Sequence, residues 1–252
     1  MTANDFFTDL NIVENVAIGD YKKLESVYTV LNAMTHHTYQ SIYVIDYFKK
    51  DFLYVSGSPF FLCGKTPEAI KKEGYNFFLR HVPEEELPLL FEMNKMLLRQ
   101  YYAIASDERL HYTISYNFHL INSNKSSFLV NRRFTPLVLT KDGRIWLALC
   151  VMSIPAYKEV GCLEMYCNQS SDYFYRYSIE LRHWVQCVSE PLTEHERNIL
   201  ILSAQGLTMK VISKALFLGE NTIKSYKKSL FKKLGVSNIV EAISTAYLRR
   251  LI

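Results

Sequence analysis

Residues 206–236, GLTMKVISKALFLGENTIKSYKKSLFKKLGV, decide how the C-terminal quarter of the chain is built. Thr208 reads as a helix cap ahead of Ile212, Ala215 and Leu216, which follow i, i+3, i+4 spacing. A short turn, Phe217-Leu218-Gly219, leads into a second helix that runs to Leu234 and stops at Gly235. In that helix Ile223, Leu230 and Leu234 share a face and must look into a core. Lys224, Lys228 and Lys232 recur every four residues on another face, with Lys227 and Lys233 beside them, and no acid lies between Thr222 and Leu234. A cationic stripe without local counter-charges, held in a tight helix–turn–helix, suits two rows of phosphates. A solvated lysine face is the plainer alternative.

The flanks extend the pattern to four helices over 191–252. Upstream, Thr193 caps a helix with Ile199/Leu200 and Ser203/Ala204 on one face, and Gly206 supplies its left-handed stop. Downstream, Ser237 opens a last helix whose Ile239, Ala242, Ile243, Ala246 and Tyr247 form an apolar stripe. The runs LTEHERNIL (192–200), GLTMKVIS (206–213), NTIKSY (221–226) and KLGV (233–236) resemble, in order and without a gap, the LuxR-type helix–turn–helix. The departures are His195 where that family favours Arg, Asn198 and Val211 where it favours Glu, Tyr226 where it favours His, and Ile239 where Arg is usual.

The resemblance implies that the lysine helix enters the major groove of double-stranded DNA. Lys224, Ser225 and Lys228 would then face base edges, lysine donating to guanine and serine reading either edge weakly. Thr208, Met209, Lys210, Asn221, Thr222, Tyr226, Lys227 and Lys232 would lie against phosphates. The last helix, with Ile239, Ala242, Ile243, Ala246 and Tyr247, would form the dimerisation surface of a homodimer on an inverted repeat. RNA polymerase is the further partner such a regulator would engage.

The remaining sequence has a different character. The 252 residues are 49% hydrophobic and 21% charged, which excludes wholesale disorder. No apolar run approaches the ~20 residues of a membrane span, and residues 1–10 carry two Asp and no Lys or Arg, unlike a signal peptide. A cytoplasmic protein without membrane attachment is expected. Residues 191–252 hold ten basic and four acidic residues, against 19 and 21 in the rest, so polyanion binding is confined to the C-terminal quarter. Five cysteines without a C-x-x-C pair read as reduced, mostly buried thiols.

Residues 1–35 read as helical, with Leu24, Val27, Tyr28 and Leu31 at 3–4 spacing. Residues 41–48 and 52–56 are aromatic and β-branched runs around Lys49-Lys50-Asp51, a hairpin. Thr66-Pro67-Glu68 starts a short helix, and Pro83-Glu84-Glu85-Glu86 one that reaches about Tyr101. Three strands follow. In 110–121 Tyr112, Ile114, Tyr116, Phe118 and Leu120 alternate with His111, Thr113, Ser115, Asn117 and His119, predicting one buried and one polar face. Strand 126–140 comes next, and after the Asp142-Gly143 turn strand 144–154 is apolar on both faces, hence central. This order, with residues 54–70 (YVSGSPFFLCGKTPEAI), resembles a PAS domain.

The expected fold class is therefore α+β: a PAS-like antiparallel sheet with helices, followed by an all-α four-helix LuxR-type domain. The expected divisions are a helical segment (1–35), the PAS-like sensor (36–155), a β-hairpin linker (156–190) and the DNA-binding domain (191–252). In the linker, 163–167 and 173–177 flank an Asn168–Asp172 turn, and Trp184 and Val185 dock it. The PAS resemblance implies a sensory or dimerising module with a cavity for a small-molecule effector. His111 and His119 stand eight residues, roughly 26 Å, along one strand and cannot share a metal. His36, His37 and His81 read as surface or hydrogen-bonded groups, and no cofactor is assigned. No catalytic constellation is present: neither G-x-S-x-G, a P-loop, H-E-x-x-H nor G-x-G-x-x-G. The rival readings are a cofactor-binding redox or ligand sensor, and a protein-interaction module that never touches DNA.

Overall fold

The computed structural model describes residues 2–38, 40–155, 158–170 and 172–252, and the chain divides into two units, 1–154 with 159–165 and 155–158 with 166–252. Ala156, where the linker was expected to begin, and Ser171, within its turn, lie outside the described residues.

The first unit begins with two 3-10 turns, Ala3–Phe6 and Asp9–Asn11, then α1 (Ile18–Lys22) and α2 (Glu25–Thr35). The expected single helical stretch is thus interrupted, because its first residues pack as individual side chains. Phe6 is buried, its ring 4.3 Å from Phe91 and 5.1 Å from Tyr75. Asn11 is buried and donates to the Ile145 carbonyl at 3.0 Å. Leu24 and Leu31 are the positions of the predicted stripe that are fully covered.

Strands β1 (Ser41–Asp46) and β2 (Asp51–Val55) form the expected hairpin, with Lys50 at φ +54 in its turn. Short helices α3 (Pro59–Leu62), α4 (Pro67–Glu73) and α5 (Asn76–His81) follow. Thr66 caps α4 by accepting from the Ala69 amide at 3.2 Å, with Pro67 in the first turn. Glu84–Glu86 is a 3-10 turn leading into α6 (Leu87–Ala103), and β3 (Tyr112–Ile121), β4 (Ser127–Leu139) and β5 (Ile145–Ser153) complete the antiparallel core.

The strand order is β2-β1-β5-β4-β3. β5 is central between β1 and β4, as its two apolar faces required, and this is the PAS-like sheet that the element order implied. β6 (Gly161–Cys167) adjoins β3 and carries the chain from one unit to the other. Helix α3 packs on β1 and β5, α4 on β2, and α6 on β3. Between sheet and helices, where a cavity was expected, aromatic rings interleave. Tyr43 stacks on Phe61 (4.9 Å, 6°), and Phe52 stacks on Tyr75 (5.0 Å).

The polar face of β3 departs from expectation. Ser115 and Asn117 are buried along with the apolar residues. Asn131 lies directly across from Asn117 on β4 and donates to both Asn117 Oδ1 and Ser115 Oγ at 2.8 Å, while Asn117 donates to the Glu159 carbonyl at 3.0 Å. The hydrogen bonds that let these groups leave water come from β4 and from the backbone at Glu159, so a single-strand pattern could not show them.

In the second unit β7 (Tyr173–Ser178) pairs antiparallel with β8 (His183–Val188), a strand where only a docking segment was expected. Four of the six β8 residues are exposed, so the alternation that marks a half-buried strand is missing. Trp184 packs against Tyr177 at 5.6 Å. Helices α7 (Glu194–Ala204), α8 (Met209–Ala215), α9 (Glu220–Leu234) and α10 (Ile239–Leu248) complete the unit, the four helices expected.

Phe6→Ala tests the docking of the N-terminal segment. Removing a fully covered ring should cost the first unit about 3–5 kcal/mol in chemical denaturation. A loss below about 1 kcal/mol would mean the segment is an ornament on an independently packed core.

Candidate nucleic-acid interface

Helix α9 owes its orientation to two small apolar clusters. Ile223 is buried with Ile199 of α7 and Ile212 of α8, while Leu230 and Leu234 are buried with Leu200, Ala242, Ala246 and Leu251. All three predicted core positions of α9 therefore face inward.

A buried carboxylate reinforces this. Thr193 and Glu196 form a capping box at the start of α7: the Glu196 amide donates to Thr193 Oγ1 (3.3 Å), and the Thr193 amide donates to Glu196 Oε2 (2.8 Å). The same carboxylate accepts from Ser229 Oγ and Lys233 Nζ of α9, each at 2.8 Å. Burial alone would push this carboxyl up. The hydrogen bonds from Lys233, Thr193 and Ser229 outweigh it and hold the pKa below the ordinary 4.5. Lys233 is thus paired, a correction to the expectation of five uncompensated lysines; its partner lies 37 residues away, outside any local window.

The other four lysines stand as expected. Lys224, Lys228 and Lys232 are exposed and Lys227 is half-exposed, and none has an acidic partner among the described residues. Ser225 is exposed, with its hydroxyl donating to the Asn221 carbonyl at 3.2 Å, so at rest it offers a lone pair rather than a proton. Asn221 and Thr222 are exposed in the first turn of α9. Tyr226 is half-buried against the Ile199–Ile212–Ile223 cluster, its ring 5.2 Å from that of His195. Two of the departures from the family pattern therefore touch each other.

At the start of α8, Thr208 occupies the cap position with extended backbone, yet its hydroxyl makes no cap bond, contrary to the expected cap. Lys210 is exposed, whereas the Met209 side chain packs on the core. The turn into α9 is fixed by Phe217 at φ +55, by the Leu218 amide donating to the Ser213 carbonyl at 3.0 Å, and by Ser213 Oγ donating to the Leu218 carbonyl. Gly206 and Gly235 take the left-handed backbone at φ +79 and +69 that the helix stops required.

The stripe on α10 needs correction. Ala242 and Ala246 have no exposed surface and belong to the interior cluster with Leu230, while Ile239 and Ile243 pack against it. Of the five residues expected at a dimer surface, Tyr247 alone is fully outward, and Val240 joins it at 69% exposed. An apolar stripe marks the buried face of a helix, and here the chain itself covers that face. The helix is capped by Asn238, which accepts from the Glu241 amide at 3.0 Å, rather than by Ser237.

Residues 190–246 match the family described as bacterial regulatory proteins, luxR family. The C-terminal quarter is a luxR-family helix–turn–helix domain. It is 43% identical over 51 residues to the DNA-binding transcriptional activator DevR/DosR of Mycobacterium tuberculosis, covering 20% of this chain and 24% of that one. It is 40% identical over 55 residues to the CsgBAC operon transcriptional regulatory protein of Escherichia coli (22% and 26%). The chain spans about a quarter of the length of these relatives. Over 92% of its length and 90% of the other chain it is similar to the solved structure of the phage VqmA–DPO complex, at 16% identity and a TM-score of 0.32.

Glu196→Gln should loosen α9 from α7 by about 1–3 kcal/mol, read as faster amide hydrogen exchange in both helices. Because the folded-state pKa is lowered, the carboxylate's contribution is complete above the unfolded-state value of 4.5 and is lost as pH falls through the folded value. The difference between wild type and variant should hold from pH 7 down to about 5 and close towards pH 3. A gap independent of pH would assign the effect to packing instead.

Proposed function

We propose that the chain is a sequence-specific transcriptional regulator that binds double-stranded DNA through α9, with the PAS-like unit sensing a small-molecule effector. The observation that carries this is the stripe of Lys224, Lys227, Lys228 and Lys232, left without acidic partners on a helix whose opposite side is pinned by Glu196 and two apolar clusters. A rigid cationic cylinder of this kind fits a major groove. The luxR-family match over the same residues supports the reading, as do relatives named for transcriptional regulation.

In this reading Lys224, Ser225 and Lys228 meet base edges. Asn221, Thr222, Lys227, Lys232 and Lys210 meet phosphates, together with the unused hydroxyl of Thr208 and the backbone at Met209. Tyr226, held against His195, contributes its hydroxyl to a phosphate as a neutral donor. Self-association through α10 would use its outward side, where Val240 and Tyr247 recur at i, i+7 and are 69% and 64% exposed. A dimer would read an inverted repeat, and RNA polymerase would be the partner through which binding changes transcription. No helix among the described residues is long and apolar enough to cross a membrane, and such a regulator would act in the cytoplasm.

The test is selection of bound fragments from a random duplex pool, followed by affinity measurements across a salt series. Lys224→Ala should cost about 1–3 kcal/mol on the selected site and relax its sequence preference. Lys232→Ala should weaken all sequences alike and reduce the salt slope by about one. No enrichment from the pool, or equal loss on every sequence for both variants, would contradict these roles.

A further inference from the structure

The centre of the first unit holds a charge with no counter-charge among the described residues. Arg132 on β4 is 1% exposed and lies across from Tyr116 on β3 and Met152 on β5. Its Nη1 donates to the Tyr116 hydroxyl at 2.6 Å, and Nη2 reaches Cys150 Sγ at 3.5 Å, a weak acceptor. Nε has no acceptor among the described residues. A guanidinium carries five N–H donors, so most of this head group's hydrogen-bonding capacity is unused.

The surroundings do not supply the missing charge. The electrostatic neighbours of Arg132 include Cys150, Tyr116, Tyr43, Tyr75 and Tyr47, a thiol and four phenols. Burial pushes the Tyr116 phenol up to about 12 even beside the guanidinium, and burial likewise raises the Cys150 thiol. Both are neutral at pH 7. Four rings, those of Tyr43, Phe78, Tyr116 and Phe134, stand around the head group with centroids 5.5 to 5.9 Å from its central carbon. Arg249 over Phe174, at 4.1 Å, shows how closely a guanidinium sits when it stacks on a ring. The four rings stand at the outer range of cation–π contact and ease the burial of the cation, but they bring neither a net negative charge nor an acceptor for Nε. A buried water would fill a donor and leave the charge uncompensated, whereas buried charges in proteins are paired.

We propose that Arg132 anchors a ligand site in the first unit, and that the ligand is a small organic monoanion: a carboxylate on a flat apolar body. Two carboxylate oxygens match the fork of a guanidinium and supply the missing charge together with the missing acceptors. A flat body lies between the ring walls as Phe61 already lies on Tyr43, parallel and 4.9 Å away. With Arg132 enclosed, the rings must part to admit it, which links occupancy to the packing of helices on sheet. The proposal rests on the reading of this unit as a sensor and gives the effector its chemical class.

The experiment uses the full chain with benzoate as probe and benzamide as its neutral counterpart of the same shape, read by thermal unfolding and intrinsic fluorescence titration. Benzoate should raise the unfolding midpoint and bind about ten- to a hundredfold more tightly than benzamide, the difference a charge-assisted pair makes. Arg132→Met keeps the volume and removes the charge, so the variant should unfold at or above the wild-type midpoint and lose the preference for benzoate. Tyr116→Phe, which leaves the guanidinium in place, should keep that preference and covers the case in which Arg132→Met does not fold. Equal binding of the two probes, absence of benzoate binding, or a preference that survives Arg132→Met would overturn the proposal. Duplex binding is measured on the same preparations: if it persists while the preference for benzoate is absent, the anion site falls and the regulator stands.

Discussion

The carboxylate of Glu196 is the contact on which the C-terminal unit turns. It completes a capping box with Thr193 and at the same time receives Ser229 and Lys233 from α9, so one buried group sets the start of α7 and the roll of α9. With Ile223, Leu230 and Leu234 turned inward as well, rotation of α9 about its axis would break polar and apolar contacts together. The remaining lysines have nowhere to point but outward. Lys224, Lys228 and Lys232 repel one another at i, i+4 spacing, by about 0.2–0.5 kcal/mol per pair. That repulsion is accepted by the fold, and a bound polyanion of the kind proposed would relieve it, so the local cost and the proposed function would have the same origin.

The first unit handles buried charge differently. Glu196 is buried and well partnered; Arg132 is buried with a phenol, a thiol and four neutral rings about it. Several nearby polar groups do find partners within this core. Asn131 finds Asn117 and Ser115 across the strand pair, and Tyr101 donates to the carbonyls of Tyr112 and Phe134. The Tyr43 hydroxyl and Asn131 Oδ1 also lack partners among the described residues, but the guanidinium adds a full charge to an unpaired Nε, and such a group at the centre of a sheet–helix sandwich is where a ligand would act on the whole unit.

Much of this was readable in the sequence where a feature is local, although the local caps expected at Thr208 and Ser237 did not form. The stops at Gly206 and Gly235, the cap at Thr193 and the double-faced β5 each depend on residues within a turn or a strand of one another, and each formed as expected. Expectations failed where the deciding partner is remote. Lys233 meets an acid 37 residues away, the polar side of β3 is satisfied from β4, and Ala242 and Ala246 are covered by helices of their own unit. β8 escaped notice because its exposed residues leave no alternation. Arg132 carried no signal at all: one arginine in an aromatic strand looks like an outward residue until the rings around it are placed.

Lysine acetylation footprinting of the full chain, free and bound to a selected duplex, tests the central claim most directly. Bound DNA should protect Lys224, Lys227, Lys228 and Lys232 together, leave Lys233 slow to react in both states because Glu196 already holds it, and leave Lys71 and Lys72 of α4 unchanged. Protection that misses α9, or that falls equally on α4 and α9, would contradict the account.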